Sequence, residues 1–161
     1  MAVDMFLEIK GIPGESKDHK YKDWIDVLSF SWGETQTGTH AGGGGGGAGK
    51  VSMQDFHFTM KVNKATPKLL QACASGEHIK EGTFIVRKAG KGQHDFLKIK
   101  FSDLLISSYQ TGASSQGDEI PIESCSFNYS KIEYEYKEQM ADGSLGGPIK
   151  AGYDLKANKP I

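Results

Sequence analysis

One stretch of the sequence, residues 42–50 (GGGGGGAGK), matches the glycine and lysine spacing of a phosphate-binding loop. Gly44 and Gly49-Lys50 fit G-x-x-x-x-G-K, in which backbone N–H groups and the lysine bind nucleotide phosphates. The motif also needs a Ser or Thr hydroxyl for magnesium at the next position, where this chain has Val51. A helix should follow the loop, but VSMQDFHFTM alternates and predicts a strand. We therefore interpret the run as an exposed flexible loop, with nucleotide binding as an alternative.

Other residues that could do chemistry form no recognisable motif. No two of the five histidines have metal-ligand spacing; they are His19, His40, His57, His78 and His94. Neither C-x-x-C nor G-x-S-x-G occurs. The two cysteines, Cys73 and Cys125, are far apart and are interpreted as buried thiols of a reducing compartment. Although distant residues can converge in a fold, we expect no catalytic residue, metal or cofactor.

Composition and charge place the chain among ordinary globular domains. Its 161 residues include 19 basic and 20 acidic side chains, so nothing in the balance calls for nucleic acid or an anionic membrane. No apolar run has membrane-spanning length, and the N-terminus lacks the order of a secretory signal. We expect a single domain over 1–161 that folds in the cytosol.

Most of the chain alternates between apolar and polar residues, which is the period of a strand. The predicted inner faces carry Val3, Met5, Leu7 and Ile9, then Phe56, Phe58, Met60 and Val62, and later Leu97, Ile99 and Phe101. Further strands are predicted over 83–88 and 122–137. Their sum is an antiparallel β-barrel with one short helix on its flank.

A strand predicted over 24–32 has apolar residues on both faces. One face carries Trp24, Asp26, Leu28, Phe30 and Trp32, and the other carries Ile25, Val27, Ser29 and Ser31. Since both faces are partly apolar, we expect one to meet the core of the domain and the other to meet a neighbouring molecule.

The helix is predicted over about residues 67–75. Thr66 is the expected N-cap, with Pro67 at the first helical position. An apolar stripe of Leu69, Leu70 and Cys73 should pack on the sheet. Gly76 should end the helix in the left-handed conformation.

The strand over 122–137 changes its apolar face part of the way along. Its first half has Cys125, Phe127 and Tyr129 on one face, and its second half has Ile132, Tyr134 and Tyr136 on the other. Such a switch indicates either a bulge or a strand that leaves one core for a second surface.

Several blocks of sequence, in order and with compatible spacing, resemble one known family. They are MAVDMFLEI and GIPGESKD near the start, IDVLSFSWG at 25–33, the glycine loop ending in AGK, ATPKLLQACASG at 65–76, RKAG at 87–90, ADG at 141–143 and GGPIKAGYD at 146–154. With these blocks the chain resembles the haemolysin-coregulated proteins (Hcp), the tube subunits of bacterial type VI secretion systems.

This resemblance implies a β-barrel with one helix that forms hexameric rings around a wide channel. The rings stack head to tail into a tube, which a contractile sheath propels and a spike of the VgrG family caps. Small effector toxins ride in the channel. The chain ends at Ile161 without an added toxin domain, so we expect a plain tube subunit that assembles in the cytoplasm and is secreted without a signal peptide.

Two loops are the candidate sites of such a subunit. The ring-stacking loop is expected to comprise Gly42, Gly43, Gly44, Gly45, Gly46, Gly47 and Lys50. Ser114 and Ser115, in the small-residue stretch 111–117, are expected to face the channel, where their size would leave room for cargo; a surface turn without contacts is the alternative. A monomeric β-barrel module that binds a ligand, such as a sugar, remains the other interpretation of the whole chain.

Overall fold

Antiparallel strands dominate the computed structural model, which describes residues 3–38, 48–88, 92–117 and 120–161. The strands are β1 (Val3–Ile9), β2 (Ile25–Asp26), β3 (Ser29–Ser31), β4 (Glu34–Gly38), β5 (Ala48–Met53), β6 (Phe56–Lys61), β7 (His78–Lys88), β8 (Asp95–Gly112), β9 (Ile122–Gln139), β10 (Leu145–Asp154) and β11 (Lys159–Pro160). One helix, α1 (Thr66–Ser75), completes the described part of the chain. The prediction of a mainly β, antiparallel fold with a single short helix is confirmed.

A nine-stranded sheet wraps around the core. Its main order is β11-β10-β9-β8-β7-β1-β2, and β6 pairs with both β9 and β3. Between β2 and β3, Val27 N donates to Met5 O at 3.0 Å and Leu28 N donates to Thr59 O at 2.8 Å. Single hydrogen bonds therefore link the β1–β2 edge of the sheet to β6, whereas the strand ladder itself does not close the predicted barrel.

Five fully buried phenylalanines form the centre of the core: Phe56, Phe58, Phe84, Phe101 and Phe127. They come from four strands, and the ring of Phe56 lies 5.0–5.2 Å from the rings of Phe84, Phe101 and Phe127. Each occupies an alternate position of its strand, because successive strand side chains point to opposite faces. The predicted inner faces of β1, β6 and β8 are thus confirmed at their centres, although Val62 lies past the end of β6 and is exposed.

The predicted strand over 24–32 is divided into β2 and β3. Ile25 and Val27 are buried, as one predicted face requires. Phe30, expected on the opposite face, also packs against the core, with its ring 4.7 Å from that of Phe84. The prediction of two separate faces is wrong, because β2 pairs with β1 and β3 pairs with β6, and the break between them resets the alternation.

The start of α1 differs from the prediction by one residue. Ala65 is the N-cap, and its N–H donates to Asn63 Oδ1 at 2.8 Å. Thr66 lies inside the first turn, where its Oγ1 accepts from Asn63 N at 3.1 Å and donates to Glu123 Oε1 at 2.5 Å. Its hydroxyl therefore holds the helix to the sheet, although it does not cap it. Gly76 ends the helix with φ 66°, as predicted.

The buried stripe of α1 also differs from the prediction. Leu69 and Ala72 are its buried residues, Cys73 is half-buried, and Leu70 is 51% exposed. Residues three apart share a helix face, so Leu69 and Ala72 point to the sheet together. Placing Leu70 on the same face was wrong, since adjacent helix residues lie about 100° apart.

The change of face predicted for β9 corresponds to a change of partner. Residues 122–127 pair with β6, whereas residues 131–139 pair with β10, and β8 pairs along both halves. The second half therefore extends beyond the cover of β6. Tyr134 and Tyr136 are exposed there, although they share a face with the buried Ile99 and Leu97 opposite them.

Candidate functional site

The outer face of four neighbouring strands is lined with small hydroxyl side chains. Because the aromatic core occupies the inner positions of β3, β6, β8 and β9, the alternate residues point outward. We call this surface the hydroxyl face; it comprises Ser29, Ser31, His57, Thr59, Ser107, Ser108, Gln110, Ser124 and Ser126. Cross-strand pairs such as Ser31 with His57, and His57 with Ser126, make it continuous.

Hydrogen bonds between side chains join β3 to β6 and β8 to β9 on the hydroxyl face. Ser29 Oγ and Thr59 Oγ1 lie 2.5 Å apart, which joins β3 to β6. The buried Ser126 Oγ lies 2.8 Å from Ser107 Oγ and 2.5 Å from Ser108 Oγ. These bonds restrict the rotamers of the side chains, so the surface is both polar and rigid.

The hydroxyl face contains no Lys, Arg, Asp or Glu among its nine side chains. Charged groups stand only at its ends, where Asp55 Oδ2 accepts from Ser107 Oγ at 2.6 Å and Lys61 ends β6. A shallow depression of about 420 Å³ opens on it, lined by Ser29, Phe30, Ser31, Gln54, His57, Phe58, Thr59 and Ser124. These side chains can form hydrogen bonds with a polypeptide or with water, and they do not favour either sign of charge.

Ser114 and Ser115 come two and three residues after the end of β8, one of the strands that carry this face. They are exposed in the turn that follows β8, where Gly117 N donates to Ser114 O at 3.0 Å and Gln116 N donates to Ser114 Oγ at 3.3 Å. The serines follow Gln110, the last residue of the hydroxyl face on β8, by four and five positions along the chain. Their position in a channel stays a prediction.

The predicted ring-stacking loop falls mainly outside the described residues, since Gly42–Gly47 are among those that the structure does not describe. Lys50 lies in β5, which pairs with β4 as a separate two-stranded hairpin. A phosphate-binding loop would instead place this lysine at the start of a helix. The nucleotide-binding alternative therefore loses the structural context that it requires.

Sequence reasoning missed the hydroxyl face, although its signal was present. Ser or Thr occurs at alternate positions 29 and 31, at 59, and at 124 and 126, opposite the apolar positions of the same strands. Each pair taken alone is an ordinary polar strand face. The pattern becomes visible only when the pairing of β3, β6, β9 and β8 is known.

A buried ionic cluster on the outer face of β1 and β7 was also missed. Arg87 is 3% exposed, and its guanidinium donates to Asp18 at 2.5 and 3.0 Å and to Asp4 at 3.4 Å. It also lies 4.8 Å from the centre of the Phe6 ring. Hydrogen bonding to Arg87 lowers the pKa of Asp18 to about 2. The charged loop predicted over 15–22 is therefore attached to the barrel.

The two free thiols differ in exposure. Cys125 is buried and Cys73 is half-buried, and both are free. Burial raises the pKa of Cys125 to about 12, so its thiol stays protonated. Within residues 3–38, 48–88, 92–117 and 120–161, no three His, Cys, Asp or Glu side chains are grouped to hold a metal ion.

α1 has ten residues, and no helix in the described ranges is long and apolar enough to cross a membrane.

Comparison with known proteins identifies the family. The profile of a family described as "Type VI secretion system effector, Hcp" matches residues 6–136. Over 160 residues, 98% of each chain, the protein is 44% identical to Protein hcp1 of Pseudomonas aeruginosa. The crystal structure of Hcp1 from Salmonella typhimurium is 37% identical, with a TM-score of 0.83 and both chains fully covered. A structure described as a type six secretion system protein has a TM-score of 0.93 at 31% identity, with 99% and 100% of the chains covered. The protein belongs to the Hcp family of type VI secretion systems.

Proposed function

We propose that the protein is a structural tube subunit of a bacterial type VI secretion system and not an enzyme. Six copies form a ring around a channel, and rings stack head to tail. The observation that carries this proposal is similarity over the whole length: 98% of the chain aligns with the Pseudomonas protein, and 99% superposes on a type VI secretion protein. Residues 1–161 then form a single domain.

The hydroxyl face lines the channel in this proposal. Its nine side chains include no Lys, Arg, Asp or Glu, so it neither repels nor retains cargo according to charge. Small hydroxyl groups remain hydrated, and Phe30 is the one exposed apolar side chain among the residues that line the depression, so cargo meets little apolar surface there. Ser114 and Ser115 extend the same wall. Cargo therefore contacts a surface that holds it weakly and releases it.

Contact between copies uses apolar side chains that lie away from the hydroxyl face. Val3, Tyr134, Tyr136 and Ile149 are between 36% and 67% exposed on the inner side of the sheet, beyond the cover of β6. Exposed apolar residues that cluster on one surface are typical of protein interfaces. A heterologous contact, in which this surface meets a different one on the next copy, closes into a ring.

Stacking of rings uses the hairpin β4–β5 with the loop at Gly42, Gly43, Gly44, Gly45, Gly46, Gly47 and Lys50. The hairpin supports this role because it stands apart from the nine-stranded sheet. A two-stranded hairpin is marginally stable by itself, so it gains from a second surface. Ordering a glycine-rich loop costs conformational entropy, so the contact between rings is weak and reversible.

The remaining partners follow from membership of the secretion system. They are a VgrG-type spike at the end of the tube, the contractile sheath around it and effector toxins in the channel. The subunit assembles in the bacterial cytoplasm and leaves through the apparatus without a signal peptide. It neither binds nucleic acid nor inserts into a membrane, in keeping with its near-zero net charge.

Light scattering, combined with negative-stain images of the same chromatographic peak, tests the proposal. We expect a mass six times the 17.5 kDa of the chain, and rings with an open centre. A monomer would contradict the proposal and favour the alternative of a β-barrel module that binds a ligand.

A further inference from the structure

The hairpin β4–β5 is attached to the barrel at its base. Gln54 N donates to Gly33 O at 2.9 Å, and the first ladder pair beyond it joins Glu34 and Met53. In the described part of the chain, no strand pairing connects the hairpin to the nine-stranded sheet. The direction in which it projects therefore depends on the few residues at this base.

One buried side chain holds both sides of the base. Tyr129, on β9, is 7% exposed, and its ring lies 4.9 Å from that of Phe101 in the core. Its hydroxyl donates to Gln54 O at 3.0 Å, on the chain that leaves the hairpin. The same hydroxyl accepts a hydrogen bond from Trp32 Nε1, on the chain that enters it.

The chemistry of the phenol suits this double role. A hydroxyl can donate one hydrogen bond while it accepts others. The Tyr129 hydroxyl can therefore donate to the Gln54 carbonyl and accept from the Trp32 indole N–H at the same time. Burial raises the pKa of Tyr129 to about 12, so the proton needed by Gln54 O is retained at physiological pH. Phenylalanine would keep the packing on Phe101 but leave both partners without this bond.

We propose that Tyr129 is a positioning residue, which fixes the angle at which β4–β5 leaves the barrel and thereby aligns the hairpin with the adjoining ring. This inference rests on the proposed function, in which the hairpin makes the contact between rings. It assigns to a residue of the barrel interior a role in assembly that its burial alone would not indicate.

Replacing Tyr129 by phenylalanine tests the inference, with Tyr153→Phe as the matched control. Tyr153 also donates its hydroxyl, but to the exposed Asn158 Oδ1 at 2.6 Å, far along the chain from the hairpin. In Y129F we expect amide hydrogen exchange at 34–36 and 51–53 to become about tenfold faster, because the variant loses both hydrogen bonds of the hydroxyl. Stacks of rings in negative stain should become shorter, whereas the hexamer mass should not change. The control should match the wild type in all three measurements.

Two results would overturn the inference. One is unchanged exchange in the hairpin of Y129F, and the other is loss of the hexamer, which would make Tyr129 a residue of the fold. Should Y129F fail to fold, Trp32→Phe removes the indole N–H that donates to the same hydroxyl while it keeps an aromatic ring at this position, and it must then show the faster exchange. If the wild type forms no rings, the proposed function fails, while the exchange comparison still decides whether Tyr129 holds the hairpin.

Discussion

Arg87 shows how a single buried charge attaches a loop to the barrel. Its guanidinium is enclosed between the carboxylates of Asp18 and Asp4 and the rings of Phe6 and Tyr21. Burying a charge is unfavourable unless it is paired and hydrogen-bonded, and here both conditions are met. Removing one partner should therefore lower the free energy of unfolding by more than the intact ion pair adds to it.

Asp18→Asn should lower the free energy of unfolding at pH 7 by about 1 kcal/mol, after allowance for solvent screening. The pKa of Asp18 is about 2 in the folded protein, against 3.8 for an ordinary aspartate. Since the pKa of Asp18 is lower in the folded protein, its contribution to stability is complete above about pH 5 and is lost as the pH falls towards 2. Urea unfolding of wild type and variant at pH 7 and pH 2.5 checks this.

The exposed Glu138→Gln is the control for the loss of one negative charge. It should unfold like the wild type at both pH values. A deficit in Asp18→Asn that persists unchanged at low pH would show that the ion pair is not its cause.

Gly14 is required by a close approach of two backbone segments. A Cβ atom there would lie 2.5 Å from Trp24 O and 2.7 Å from Ile25 Cα. Backbone atoms cannot rotate away as a side chain can, so Gly14→Ala should destabilise the protein by about 1–3 kcal/mol. Thermal unfolding measures this, with Gly112→Ala as the control, because nothing lies within 4 Å of a Cβ there. Equal melting temperatures for the two variants would contradict the prediction.

At the level of elements, α1 depends on a carboxylate beneath its first turn. Glu123 is 1% exposed and accepts hydrogen bonds from Thr66 Oγ1 and from the hydroxyl of Tyr109. These bonds join the helix to β9 and β8. A helix of ten residues is marginal by itself, so its stability depends on such tertiary contacts and on the burial of Leu69.

Thr66→Val should therefore loosen α1 without unfolding the barrel. The valine keeps the shape of the side chain but removes the hydroxyl, at a cost of about 1–2 kcal/mol. Amide exchange at 69–75 should accelerate relative to exchange in β8 and β9. Thr83→Val, on the outer face of β7, is the control. Uniform acceleration throughout the chain would show instead that the hydroxyl stabilises the whole fold.

Local sequence patterns predicted the features that do not depend on which strand or residue lies opposite. The inner residues of β1 and β6 follow from alternation alone, and Gly76 follows from its freedom to adopt positive φ. The N-cap of α1 was missed because the side chain of Asn63 supplies the hydrogen bond to Ala65.

Features made by residues far apart in sequence could not be predicted in this way. The division of β2 from β3 depends on two different partner strands, β1 and β6. Arg87 meets Asp18 only through the tertiary fold. The hydroxyl face is likewise a property of four paired strands, whose serines are separated by up to about a hundred positions.

On the scale of the whole molecule, the nine-stranded sheet presents two outer surfaces of different character. The hydroxyl face on β3, β6, β8 and β9 is uncharged, whereas the outer side of β7 and β8 carries charged residues such as Glu81, Lys98 and Lys100. In the proposed tube, this asymmetry would place one surface towards the cargo and the other towards the surrounding sheath. The orientation of the subunit in the ring is thus open to a direct test.

Gold labelling of single cysteines should show which surface faces the channel. In a Cys73→Ala background, which leaves only the buried Cys125, Ser124→Cys places a thiol in the middle of the hydroxyl face. Lys98→Cys places one on the exposed outer side of β8. If the hydroxyl face lines the channel, maleimide-coupled gold on the Ser124→Cys variant lies inside the rings in end-on negative-stain views, and gold on the Lys98→Cys variant lies outside. Ser114→Cys should label the channel as Ser124→Cys does. Gold outside the ring for both Ser124→Cys and Lys98→Cys would contradict the assignment, and it would require the channel wall to be sought on another surface of the subunit.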